Sequence, residues 1–276
     1  MFDSWQESAL LIGALIAFAF GCRSFENRFV QKLGWLCLLG ASYLVGLQLS
    51  GGSHWLGATC VGAWFLLPWL EIVGRVRQLR YPIKSEVKNR FPPSRDVFPD
   101  LGALTEEAEE EGFAKIEDTG WVWDDTDHFM RLFYHQEMRT QAAISLAQQD
   151  GFAFSYVSLT SRTEDGLSIT TSNYPFSLTM KLSPQQLMNR CLGAESMAEL
   201  VESHQAYLEK NQISEEELAQ QDTERLHWYV ERDMISQINH NISVHIIEPI
   251  GNDLFRYSWR GCFYLWFQVV KDMIRI

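Results

Sequence analysis

The chain has 276 residues, a net charge of −12 and an apolar fraction of 46%, enough for one large domain or two modest ones. The charge is unevenly spread: residues 1–80 hold six Lys/Arg against four Asp/Glu, net +2, which leaves the remainder at net −14. An anionic remainder repels phosphate backbones and argues against nucleic acid as a partner. The five cysteines form no CxxC pair, so neither a zinc site nor a disulfide framework is expected.

The first three elements are apolar runs. Residues 5–22 form a mainly apolar run of about 18 residues, and residues 33–49 carry no charge. Residues 54–74 carry one, Glu71. Each is long enough to cross a bilayer. A secretory signal peptide does not fit the first run, because the N-terminus offers Asp3 and Glu7 in place of a cationic region. Trp5, Trp35, Trp55 and Trp69 fall at or near the ends of the runs, where an indole prefers the headgroup layer. Gly40, Ala41, Gly46, Gly57, Ala58 and Gly62 would let the helices approach closely. Lys/Arg placement sets orientation. Arg23, Arg28 and Lys32 follow the first run, the SGGS loop has no cation, and Arg75, Arg77 and Arg80 follow the third. All the basic flanks share one side if the N-terminus is outside and the C-terminal part is cytoplasmic, as in an inner-membrane protein.

Four of the eight prolines (Pro82, Pro92, Pro93, Pro99) fall within residues 81–100, which reads as a stalk, the alternative being an ordered arm packed on the domain that follows. From residue 101 to 276 the pattern is that of a soluble α+β domain. DLGALTEEAEEEGF reads as a short acidic helix stopped at Gly112. FMRLFYH, TQAAISLAQQ, FAFSYVSLT, LSITTSN and FSLTMKL read as an antiparallel meander. Asp150-Gly151 and Asp165-Gly166 mark hairpin turns within it. The Ser/Thr-rich stretch Ser158–Asn173 then becomes the polar end of a hairpin, because β-branched Thr and cross-strand Ser–Thr pairs suit a sheet.

Three capping patterns follow. Ser183 with Gln186 and Ser196 with Glu199 each predict a helix start, and Ser214 with Glu217 predicts a longer polar helix over 215–238. ISVHIIEPI and LFRYSWR, joined at Gly251-Asn252-Asp253, read as a closing hairpin. The tail GCFYLWFQVVKDMIRI is amphipathic, with Trp259 and Trp266 on its apolar face. It is too short and charged to span, so it either lies at the inner headgroup layer or packs on the sheet.

The densest set of possible ligands is Asp124, Asp125, Asp127 and His128. Of these, Asp125, Asp127 and His128 could hold a hard divalent cation for hydrolysis, although an Asp-rich turn that caps the next element explains the same pattern. His54 could ligate a pigment metal at a membrane edge, or simply sit at the interface. Arg131, and Arg162 with Asp165, could select an anion or form surface ion pairs. GxSxG, GxxxxGK[ST] and GxGxxG are absent from the sequence, and no cofactor is expected. The resulting expectation is a membrane-anchored, non-catalytic interaction or accessory module that docks its acidic domain on a protein partner or membrane complex. A metal-dependent hydrolase and a sensor of lipids or small ligands are the alternatives.

Overall fold

A computed structural model describes residues 5–25, 27–123, 126–149 and 152–275, and divides into two compact units. The helical unit comprises residues 1–79, 177–179 and 257–276; the sheet unit comprises 80–176 and 180–256.

In the helical unit, α1 (Trp5–Arg23), α2 (Arg28–Leu49) and α3 (His54–Gly74) occupy the three apolar runs. All three are long and apolar enough to cross a membrane. Their outer faces expose Leu10, Phe18, Leu36, Leu66 and Leu70, as expected of surfaces with an apolar solvent. Where the helices touch, small residues decide the spacing. A Cβ on Gly34 would lie 2.8 Å from the Cys22 side chain and 2.9 Å from the Ala19 carbonyl. A Cβ on Gly46 would meet the Leu56 carbonyl at 2.7 Å. Gly40 and Gly62 have open space around them, so of the expected small-residue contacts only some form.

The C-terminal helix α7 (Trp259–Arg275) belongs to this helical unit and packs on α3. Its Trp266 Nε1–H donates to the Phe65 carbonyl at 2.6 Å, and Phe263 lies against Trp69 at 4.4 Å. The Arg77 guanidinium sits 4.3 Å from the Trp259 ring. The tail therefore packs on a transmembrane-type helix, which the amphipathic pattern alone does not distinguish from packing on a sheet.

The sheet unit is built on seven strands, β2 (Lys88–Asn89), β3 (Ala114–Trp123), β4 (Thr126–His135), β5 (Thr140–Gln149), β6 (Phe152–Arg162), β7 (Ser168–Ser172) and β8 (Gln186–Arg190). They lie in sequence order and are antiparallel, except that β7 and β8 are parallel. One face carries Phe129, Phe133, Ile144, Val157 and Leu159 under α4 (Leu101–Glu110) and α5 (Met197–Lys210). The other carries Met130, Leu132, Tyr134 and Ala143 under α6 (Leu226–Ser243), anchored by the buried Leu226. This period-two alternation buries β4 on both sides. A second sheet joins β1 (Tyr81–Pro82), β10 (Leu254–Tyr257) and β9 (Ile247–Gly251). Its hairpin turns through Asn252 and Asp253, both at positive φ.

Several sequence expectations change. Segment 81–100 does not stand off as a spacer. Tyr81 pairs with Phe255 and Lys88 with Gly120, the Val87 N–H donates to Glu231, and Phe98 is buried. The FSLTMKL segment is not a strand, because side chains hold it in place of a neighbouring backbone. Arg190 donates to the carbonyls of Tyr174, Pro175 and Phe176, and Asn241 brackets Lys181 from both sides. Within the helical unit, Ser177 donates to Asp272. The long 173–185 connection is what a parallel β7–β8 pair requires. Ser183 and Gln186 make the capping-type hydrogen bond at 3.3 Å, yet the chain continues as β8, since pairing with β7 satisfies its backbone. The Ser214–Glu217 box forms as expected but caps a single 3-10 turn. The chain then extends alongside Thr163 before α6 starts at Leu226. Strand β3, not anticipated from its polar sequence, contains Gly120. A Cβ there would lie 2.0 Å from the His128 carbonyl, so the closeness of β3 to β4 excludes any larger residue.

Candidate functional site

Strand β6 ends at Arg162, and its alternation turns that side chain toward α6. There it is 4% exposed. One guanidinium nitrogen donates to Gln141 Oε1 at 2.9 Å and Gln221 Oε1 at 2.7 Å; the other donates to Asp233 Oδ2 at 2.6 Å. The Tyr229 ring lies 5.3 Å from the guanidinium carbon. Burial pushes the Arg162 pKa down, while the Asp233 charge opposes that shift, and a guanidinium stays protonated through it. The anticipated partner Asp165 is not used. Asp233 on α6 took its place because the helix packs across the strand ends, which sequence distance conceals.

Asp233 also accepts from Ser168 Oγ at 3.4 Å and from Arg232 at 3.5 Å. Arg232 in turn lies over Trp228 and Tyr229 at 5.4 and 5.3 Å. These groups open onto a polar cavity of about 200 Å³ lined by Gly166, Ser168, Gln185, Gln186, Arg232 and Asp233, with Ser236 beside them. Two guanidiniums on one carboxylate leave the site one positive charge in excess, inside a unit whose net charge is strongly negative. A few convergent polar groups around a cavity is the usual form of a small-molecule site. The signal available in the sequence was an arginine at an inward position of a Ser/Thr strand; its partners Gln141, Gln221 and Asp233 carried none.

A second polar array lies on the opposite face of β6. His204 of α5 is fully buried; its Nε2 meets Ser161 Oγ at 2.9 Å and its Nδ1 meets Thr171 Oγ1 at 2.9 Å. Ser161 Oγ continues to Thr140 Oγ1 at 2.7 Å. Burial holds the His204 pKa at about 4, so the imidazole is neutral at pH 7. A Ser–His pair is the core of a nucleophilic relay, but Ser161 and His204 are both sealed from solvent, so no substrate reaches them. The array is a core element.

No family model matches the chain, and neither a curated protein nor a solved structure is significantly similar to it.

The residues expected from sequence are distributed as follows. Asp124 and Asp125 lie outside the described residues. Asp127 and His128 are adjacent on β4 and so point to opposite faces. Asp127 accepts from Arg90 at 2.8 Å, and His128 stacks on Trp121 at 4.7 Å, with burial lowering its pKa. Among the described residues no group of three His, Cys, Asp or Glu side chains is placed to hold a metal ion. His54 Nδ1 is 2.6 Å from the Tyr43 hydroxyl. Arg131 is not a surface group: it forms a bidentate pair with Asp118, Nε to Oδ1 at 2.7 Å and Nη2 to Oδ2 at 2.9 Å, and Thr105 accepts a third bond. Of the interface residues, Trp5 and Trp55 are exposed at helix ends. Trp35 packs on Trp64, Trp69 and Trp266 join α3 to α7, and Trp259 lies under Arg77 just beyond α3. Arg75 pairs with Glu71 at 3.5 Å, and Arg80 opens the sheet unit.

Proposed function

We propose that the chain is a membrane-anchored, non-catalytic docking module. In this reading α1–α3 cross the inner membrane with the N-terminus outside, and the acidic sheet unit meets a protein partner on the cytoplasmic side. The observation that carries the docking surface is Phe91, which is 96% exposed on a segment pinned on both sides. Before it, the Arg90 N–H donates to the Asp118 carbonyl at 3.0 Å and β2 pairs with β3. After it, Phe98 is buried in the core. A large aromatic presented outward contributes contact area, as an interface anchor does. The absence of a catalytic role is supported by the way the sheet unit's charged groups are engaged: Arg131 with Asp118, Arg162 with Asp233, and His227 with Glu117. The test is gentle detergent extraction of the intact chain followed by identification of co-purifying proteins, compared with Phe91→Glu. Loss of a specific partner in a variant of unchanged thermal stability supports the reading. Identical co-purification in both forms overturns it.

A second reading, recognition of a small anion, is favoured by the cavity beside Arg232 and Asp233. A small phosphate or carboxylate that raises the melting temperature of the full chain, with the effect lost in Arg232→Gln, would support it.

A further inference from the structure

The helical unit contains an apolar groove of about 230 Å³ between α2, α3 and α7. Trp35, Leu36, Leu39, Phe65, Met273 and Ile274 line it, with Lys32 as its cationic wall. A smaller cleft of about 30 Å³ lies against α1 on the same indole, walled by Phe20, Leu38, Gly34 and Arg23 among others. Trp35 lines both. Its Nε1–H is buried with no acceptor, and its ring is fixed edge-on to Trp64 at 5.7 Å. A buried donor without a partner is costly; in the same unit the Arg77 Nε is unpartnered as well.

Arg23 ends α1 and Lys32 lies in the second turn of α2. At 1.5 Å per residue, Trp35 is about 10 Å along α2 from its start. In a membrane-spanning helix that depth is the boundary between headgroups and acyl chains.

We propose that these two clefts form a site for one anionic phospholipid. This rests on the membrane-inserted reading above and adds a ligand to it. An acyl chain fills the groove along Leu36, Leu39 and Phe65. The phosphate lies between Arg23 and Lys32, and one of its oxygens accepts from the Trp35 Nε1–H. Charge complementarity selects this occupant. An apolar helix of a partner, or a second copy of the chain, would fill the groove but leave two cations and an indole N–H unmatched. A zwitterionic lipid brings the phosphate together with an ammonium that the same cations repel.

The experiment uses the full chain in nanodiscs of phosphatidylcholine with graded phosphatidylglycerol, read by thermal unfolding and by native mass spectrometry of retained lipid. Retention of phosphatidylglycerol over phosphatidylcholine is expected to fall roughly fivefold for each of Arg23→Ala and Lys32→Ala, by the worth of one basic residue at a charged surface. Trp35→Phe should weaken retention of both lipids, because it removes the phosphate donor and keeps the ring. Lys84→Ala should leave everything unchanged. Equal retention of the two lipids, or a preference that survives Arg23→Ala with Lys32→Ala, overturns the proposal. An alkaline wash of native vesicles separates the two levels of inference. A chain stripped by the wash defeats the membrane reading and this one with it. A chain that resists the wash but shows no headgroup preference defeats this one alone.

Discussion

The helical unit closes by removing side chains where helices cross, whereas the sheet unit closes by burying polar side chains and partnering most of their polar atoms. In the first, Gly34 and Gly46 bring backbones within contact of the neighbouring helix. In the second, Arg131, Arg162 and His204 are sealed beneath helices with their hydrogen bonds directed at carboxylates, amides and hydroxyls. In the membrane-inserted reading proposed above, an apolar solvent gives helices little reason to associate beyond close packing. Water drives the burial of the sheet, and any polar group carried inside must then find a partner. The same chain therefore has two vulnerabilities: added volume in one unit, lost hydrogen bonds in the other.

The largest expected effect follows from breaking the buried pair. Arg162→Met leaves Gln141 and Gln221 without their donor and Asp233 with only the longer contacts to Arg232 and Ser168, and should destabilise the sheet unit by about 3 kcal/mol in denaturant unfolding of the full chain in micelles. Adding Asp233→Leu should restore part of the loss, because an apolar pair replaces a carboxylate that has lost its closest partner. A double variant no better than the single one would show that the network, and not the stranded carboxylate, sets the cost.

Next is acid. His204 is held neutral with a pKa of about 4 against an ordinary 6.5. Its folded form thus binds fewer protons than the unfolded chain between those values. Its contribution to stability is complete above pH 6.5 and declines as pH falls, reaching a loss of roughly 3 kcal/mol near pH 4. Denaturation midpoints from pH 7 to 4 should fall at least that steeply, since burial lowers His128 as well, and His204→Gln should flatten the slope in part.

This comparison also explains what could be read from the sequence. The three spanning-type helices, the strands from FMRLFYH through LSITTSN and the helix begun at Ser196 rest on local periodicity or on partners a few residues apart. Strand β3 was hidden because Lys115, Glu117 and Asp118 look like a surface loop. Two of them face partners brought by other elements, Arg131 for Asp118 and His227 for Glu117. The Arg162 site was half visible. An arginine among Ser and Thr residues marks an odd position, but Gln141, Gln221 and Asp233 arrive from 21, 59 and 71 residues away. The tail showed its amphipathicity, and only the fold reveals that Cys262 and Leu265 are buried while Trp259, Phe263 and Phe267 stay exposed.

A smaller effect tests the helical half of the comparison. A Cβ on Gly46 meets the Leu56 carbonyl at 2.7 Å and the Gly57 Cα at 2.8 Å, both backbone atoms that cannot swing aside. Gly46→Ala should lower stability in micelles by about 2 kcal/mol, the scale of overpacking. Gly40→Ala, with open space around it, should be neutral or slightly stabilising through helix propensity. Equal effects at the two positions would mean that α2 and α3 are not in close contact.

The smallest expected effect concerns α7. Trp266 donates to the Phe65 carbonyl, an oxygen with a second lone pair beyond its helical bond, and its ring meets Trp69 edge-on at 6.5 Å. Trp266→Phe keeps an aromatic ring beside Trp69 and loses the N–H, so about 1 kcal/mol should go. The Phe263–Trp69 and Arg77–Trp259 contacts remain to hold the helix. Limited proteolysis should then cut the tail only slightly faster in this variant. Trp69→Ala should cut it much faster, because that change removes the surface on which both Phe263 and Trp266 rest. If Trp266→Phe released the tail as fully as Trp69→Ala does, one hydrogen bond rather than ring packing would be what holds α7 to α3.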